Sequence, residues 1–275
     1  LPVNLSAGRQ NSPMIWKPYW QPLPVSNMLT LDWPVPEAVG AAITLRTGGV
    51  SHGSFESNNM ALHVNDNEPT VEQNRHRLQS DLGLKQQPLW LDQCHGTEIV
   101  LVEESFGIPR ADASQTRQAH RACVVMTADC LPVLFCNRQG TQVAAAHAGW
   151  RGLCNGILRK TVAQFDGPES VIAYLGPAIG PKVFEVGAEV LSSFVTNAQD
   201  ATQVAAIQSA FTPLQKGQFL ANLYALARAE LASCGVKAIY GGEFCTFSEP
   251  ERFYSYRRSA KTGRNAALIW LKNGR

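Results

Sequence analysis

Two short stretches of this chain place a thiol and an imidazole at the same end of one predicted hairpin. They are Thr127-Ala128-Asp129-Cys130 and Ala146-His147-Ala148-Gly149-Trp150-Arg151-Gly152. Between them run two apolar strand-like segments, 131–136 and 141–146, separated by the polar turn Asn137-Arg138-Gln139-Gly140. A two- or four-residue loop that pairs 136 with 141 also opposes Cys130 and His147 on one face, with Cβ atoms about 4.5–5.5 Å apart. A slip of one residue would put them on opposite faces. Such a pair suits two ligands of one metal, or a nucleophile and its base. His95 ends a strand-like run broken by Gly96, and it adds a second imidazole. One Cys and two His would leave zinc a fourth position open, as catalytic zinc sites do. The spacing of 35 and then 17 positions fits no compact zinc finger. A small buried cysteine with two hydrogen-bonded histidines is the alternative.

Other residue types suggest how a substrate could be held. Asp129 could orient a ligand or substrate, or bond its own turn. Arg46 precedes Gly48-Gly49, and a guanidinium beside a backbone that permits close approach can grip phosphate, although a solvated turn looks the same in sequence. The stretch 254–264 mixes Tyr256 and Arg257 with further cations, which suits phosphate or a stacked base, or else a solvated basic loop. Asn59, His63 and Gln93 could bond a ribose or a purine edge, or satisfy local backbone. Gln93 lies two residues before His95 and would share its face on a strand.

The elements that must position these groups read as follows. Strands are predicted at 42–46, 89–93, 98–102, 122–127, 131–136, 143–146, 171–175, 236–240, 245–246 and 266–271. A capping-box pattern at Thr70-Val71-Glu72-Gln73 predicts a helix to about residue 82, stopped by Gly83. Further helices are predicted at 152–165, 187–195 and 218–234. Runs of strands followed by clustered helices predict an α+β class, a single domain over 41–275 with mixed β-sheets and flanking helices. Residues 1–40 are rich in Pro and read as an extended surface arm, with Met14 as an alternative start.

The same residues carry a resemblance. Leu45-Arg46-Thr47-Gly48-Gly49-Val50-Ser51, Ser57-Asn58-Asn59-Met60-Ala61-Leu62-His63-Val64-Asn65-Asp66, Gln93-Cys94-His95-Gly96, Thr127-Ala128-Asp129-Cys130-Leu131-Pro132, His147-Ala148-Gly149-Trp150-Arg151-Gly152, Gly176-Pro177-Ala178-Ile179-Gly180, and Tyr256-Arg257-Arg258 followed by Thr262-Gly263-Arg264 occur in that order. From about Ala42 to Lys272 the chain resembles the laccase-domain family, named for multicopper polyphenol oxidoreductases and also described as purine nucleoside phosphorylase-like. The resemblance implies one zinc ion on His95, Cys130 and His147. It further implies phosphorolysis of purine nucleosides, with adenosine deamination as a second reaction, and in that context it makes Arg46 a phosphate ligand. Asn58 and Asn65 depart from the family pattern, which usually has Leu and Gly there.

Composition bounds the alternatives. With 45% hydrophobic and 17% charged residues the chain can bury a sizeable core. A net charge of +2 gives no basic stripe for a nucleic-acid polymer. Seven scattered cysteines argue against a disulfide framework and for a reducing, cytoplasmic setting. No membrane segment or secretory signal is read, and a monomer with nucleoside and phosphate as its small-molecule partners is expected. A copper polyphenol oxidase is the first alternative, since Cys and His also suit copper. A multicopper cluster, however, needs more than the six histidines present, and no His-x-His pattern occurs. A Cys-His amide hydrolase acting on peptidoglycan precursors is the second alternative.

Overall fold

Strands buried on both faces account for the unbroken apolar runs of this sequence. The structure, a computed structural model, describes residues 27–119 and 121–272. Its strands are β1 (Met28–Leu29), β2 (Val39–Thr44), β3 (Ile99–Leu101), β4 (Ala113–Thr116), β5 (Ala122–Thr127), β6 (Leu131–Asn137), β7 (Val143–Ala148), β8 (Val171–Leu175), β9 (Glu185–Gly187), β10 (Phe211–Pro213), β11 (Gln218–Ala221), β12 (Ala238–Gly241) and β13 (Asn265–Leu271). Its α-helices are α1 (Glu68–Asp81), α2 (Trp150–Cys154), α3 (Ile157–Val162), α4 (Ala188–Thr196), α5 (Ala201–Ser209) and α6 (Leu223–Ser233). None of the described helices is long and apolar enough to cross a membrane.

The strands form a four-stranded sheet in the order β1-β2-β13-β5, a six-stranded sheet in the order β12-β8-β6-β7-β4-β3, and a small β10-β11-β9 sheet. The six-stranded sheet is mixed, with parallel pairs at its two edges and antiparallel pairs between them. The two larger sheets pack face to face. Leu134 and Cys136 of β6, Val143 and Ala145 of β7, and Ile172 and Tyr174 of β8 meet Val125, Ile43 and Ile269 of the four-stranded sheet. The alternate residues Val133, Phe135, Ala144 and Ala173 face α2, α3 and α6. On the far side of the four-stranded sheet, Val124, Leu268 and Trp270 pack with Leu78 of α1. The result is helix, sheet, sheet, helix, with His147 on the β7 face that also carries Val143 and Ala145 and looks into the gap between sheets.

The hairpin departs from its predicted register. Pro132, not Cys130, faces His147, and Cys136 faces Val143. The cause is Asn137, whose side-chain oxygen accepts from the N–H groups of Thr141 (2.8 Å) and Gln142 (3.1 Å), so the turn closes two residues further on. A shift of two keeps the face unchanged, so Cys130 and His147 still share a side, now as diagonal neighbours. Elsewhere, α1 starts two residues before Thr70, capped by Asn67. The predicted helix at 152–165 is broken by Gly156 in a left-handed conformation. Residues 218–221 form β11, and α6 begins at Leu223 behind the Asn222 cap. Of the N-terminal arm, residues 1–26 lie outside the described residues. Met28 and Leu29 pair with β2, and Trp33 packs on Tyr174 at 5.4 Å, so the described part of the arm is anchored by Leu29 and Trp33 while Thr30, Asp32, Pro34 and Glu37 stay exposed.

Asn137→Ala should lower the urea unfolding midpoint by the equivalent of about 1–3 kcal/mol, because it orphans N–H groups beside the buried Gln142. An unchanged midpoint would show that the turn is held by other bonds.

Candidate metal centre and cavity

A buried carboxylate organises this end of the molecule. Asp112, just before β4, is fully buried. Its Oδ1 accepts from the His95 N–H at 2.9 Å and lies 2.8 Å from His147 Nδ1. Its Oδ2 accepts from the N–H groups of Cys94 (3.2 Å) and Gly96 (2.6 Å) and from the Cys94 thiol (3.3 Å). The Asp112 carbonyl also accepts from His147 N–H at 2.7 Å. Burial opposes the charge, yet the bonds from His147, Gly96 and Cys94 hold the carboxyl well below the usual carboxylate range. One acid thus fixes the 94–96 loop, in which His95 takes a left-handed φ of 60°, and leaves Nε2 of His147 facing outward.

These constraints bring the three residues together. His95, Cys130 and His147 each offer one ligand atom, and the three atoms lie within 4.8 Å of one another. Cys130 Sγ is 3.6 Å from His95 Nε2, and the two imidazoles meet edge to face with centroids 4.8 Å apart. Gly149 makes the approach feasible, since a Cβ there would sit 2.6 Å from His95 Cδ2 and 3.0 Å from Cys130 Sγ. Burial pushes the Cys130 thiol up, but the two imidazoles outweigh it and bring it down to about 6. Burial pushes His147 down, and the Cys130 charge with the Asp112 bond raises it to about 9. A thiolate and two imidazoles with one nitrogen each turned inward form a donor set that fits Zn²⁺, and also copper. Ligation would displace the His147 proton, because a ligating imidazole is neutral.

The triad forms one wall of a cavity of about 300 Å³. Met126, Ile179, Phe184 and Tyr256 line its apolar part, and His63, Arg257 and Arg264 its polar part. Asp129 and Gln93 also reach it, but both are engaged. Asp129, at φ 97°, accepts from Thr246 Oγ1 and from the Arg257 N–H, each at 2.6 Å, and so clamps the Cys130 turn to two distant loops. Gln93 exchanges two bonds with the backbone of Met126. Asn59 is not at the cavity. Fully buried, it bonds Ala61, Asp66 and the N–H of Arg264. Arg46 is not at the cavity either: its guanidinium donates to the carbonyls of Glu56 and Pro250. Its hydrogen bonds hold backbone and its guanidinium lies over the Tyr254 ring, which sets it apart from the arginines that line the cavity. Tyr256 and Arg257 do reach the cavity, Arg257 while donating to the Glu185 carbonyl. Asp112 is a residue that sequence reasoning passed over, and Arg264 was read only as one of the cations of the 254–264 stretch. A lone Asp between alanines carries no local signal, whereas Arg264 stood in a quoted motif.

Asp112→Asn should weaken Zn²⁺ binding about 10–100-fold in a competition titration with a chromogenic chelator, because the amide no longer fixes the His147 tautomer by a charged bond. Unchanged affinity would mean that the histidines are oriented by other contacts.

Residues 40–272 match the family model described as multi-copper polyphenol oxidoreductase laccase. A purine nucleoside phosphorylase of Pseudomonas aeruginosa is 51% identical over 247 residues, 89% of this chain and 98% of that protein. The purine nucleoside phosphorylase YfiH of Escherichia coli is 50% identical over 250 residues, 90% of this chain and 100% of that protein. Among solved structures, a Neisseria meningitidis protein superposes with a TM-score of 0.84 at 49% identity, covering 90% of this chain and 100% of its own. YlmD of Geobacillus stearothermophilus superposes with a TM-score of 0.78 at 30% identity, covering 86% and 93%. The fold, the matched span and these identities place the chain in the multi-copper polyphenol oxidoreductase laccase family, whose relatives here bear the name purine nucleoside phosphorylase.

Proposed function

We propose that this protein is a zinc-dependent purine nucleoside phosphorylase, acting on adenosine, inosine and methylthioadenosine, that also deaminates adenosine. The observation that carries the reading is the convergence of His95, Cys130 and His147 on one wall of a cavity whose other walls bear two arginines and two aromatic rings. The relatives' names give the reaction class. His95 Nε2, Cys130 Sγ and the outward nitrogen of His147 would hold the ion, which when bound supplies Lewis-acid polarisation at its open position.

The remaining chemistry falls to side chains. Phosphorolysis joins a phosphate oxygen to the anomeric carbon while the C–N bond breaks and its electron pair leaves with the purine. Phe184 and Tyr256, which line the cavity, would offer aromatic surface to the base. Arg264 offers the phosphate a partly desolvated cation. Its Nη1 is held by the carbonyls of Thr262 and Gly263 (3.0 Å each) and its guanidinium lies 5.9 Å over the Tyr256 ring, while Nε and Nη2 have no hydrogen-bond partner among the described residues. Arg257 adds a second cation. Asp129 sets the position of Arg257 and of the Cys130 turn, and Asn59 sets that of Arg264.

One observation favours a second reading. Asp112, His147 and Cys130 form a carboxylate–imidazole–thiol relay, the geometry of a nucleophilic cysteine in an amide hydrolase. The second imidazole at the same sulfur favours the metal, because a nucleophile needs only one base. Iodoacetamide separates the two: a ligated Cys130 labels slowly until a chelator is added, while a free nucleophile labels fast and chelators leave activity intact. A nucleoside panel assayed with and without phosphate tests the main reading, which requires base release only when phosphate is present. Arg264→Ala should raise the phosphate KM about ten- to a hundredfold, the loss of one charge-assisted bond. Arg46→Ala should lower Tm and leave the phosphate KM unchanged. The reverse pattern would return the phosphate role to Arg46.

A further inference from the structure

The cavity holds several groups able to accept a proton, and all but one are committed. Cys130, His95 and His147 face one another as the ligand set. Both carboxylate oxygens of Asp129 accept hydrogen bonds, and Gln93 is closed on the Met126 backbone. The arginines are cations. His63 remains: it lines the cavity, is exposed at its mouth, and makes no hydrogen bond among the described residues.

Its placement is built, not incidental. The buried Asn59 accepts from the N–H groups of both Ala61 and Arg264 through one oxygen, and its nitrogen donates to the Ala61 carbonyl and to Asp66 Oδ2. A single side chain therefore sets the 61–66 loop that carries His63 and the backbone that carries Arg264. The charged groups that act on His63 are Arg264 and Arg75 on one side and Asp92 on the other.

We infer that His63 is the catalytic base of phosphorolysis, taking the proton of hydrogen phosphate while Arg264 holds the anion. The inference rests on the phosphorolysis reading above. As the phosphate oxygen bonds to the anomeric carbon, the C–N pair passes to the purine and the phosphate proton passes to the free ring nitrogen of His63. The imidazolium returns that proton to water and the purine takes one from water, so ribose 1-phosphate and neutral base result without any redox change. Partial desolvation of the ring first, and the Arg264 charge second, lower the pKa of His63 and so favour the neutral form that can accept a proton.

The test uses purified holo-protein, inosine and inorganic phosphate, with two variants. His63→Gln should lower kcat for phosphorolysis about a hundredfold to ten-thousandfold. Both KM values should stay within about threefold, the mark of an interaction made in the transition state. Zinc content and Tm should match wild type, because His63 makes no hydrogen bond among the described residues. In His63→Ala, added imidazole should restore part of kcat, and it should not raise the wild-type rate. Unchanged kcat in both variants would overturn the inference, as would a rise in phosphate KM alone, which would make His63 a simple anion ligand. Absence of phosphate-dependent cleavage in the wild type would instead overturn the phosphorylase reading, and the base role with it.

Discussion

A charge buried without partners is among the costliest things a fold can contain, and Asp112 is a fully buried carboxylate. It is tolerated because five hydrogen bonds converge on its two oxygens. Four of them come from the 94–96 loop and one from His147. The acid therefore ties the loop before β3 to the end of β7. It also places one imidazole through the backbone and the other through its ring. Removing the carboxylate would leave three backbone N–H groups and an imidazole without their acceptor. The rest of the site is arranged around this one anion.

The layers explain why the site lies where it does. β6 and β7 are apolar on both faces, so polar groups can appear only at strand ends. Cys130 precedes β6, and His147 is next to last in β7, at the end where the gap between the sheets opens. Asp129 completes the frame from the other side by binding Thr246 and the backbone of Arg257, which brings the basic 254–264 segment over the cavity. Two of the four non-glycine residues with positive φ, among those described, are His95 and Asp129. Backbone held in that sparsely populated region is a cost the surrounding bonds must offset, and it occurs where side-chain direction matters to chemistry.

Part of this was legible in the sequence, for physical reasons that can be named. Cys130 and His147 share a face under any even register, so the two-residue shift imposed by Asn137 changed their pairing and kept them on one side. The family motifs brought His95 to the same place. Asp112 was not legible, because its role depends on a five-fold convergence of groups distant in sequence. Arg46 and Arg264 both stand beside glycines, and nothing local tells which guanidinium is consumed by carbonyls and which keeps free nitrogens. Asn59 and Gln93 illustrate the same limit: their amides close on backbone, a role identical in composition to substrate binding. The 218–221 strand is hidden in the sequence because the apolar pattern of α6 continues upstream past Asn222, the residue that caps the helix.

The central claim is that one metal ion sits on these three residues with an open position facing the cavity. Loading the protein with one equivalent of Co²⁺ and recording its absorption spectrum tests this most directly. The account predicts a thiolate-to-metal charge-transfer band and the intense visible bands of a tetrahedral ion, both saturating at one equivalent, with the visible bands shifting when inosine is added. Cys130→Ser should lose the charge-transfer band. Weak octahedral bands with no charge-transfer feature, or a charge-transfer band that survives in Cys130→Ser, would contradict it.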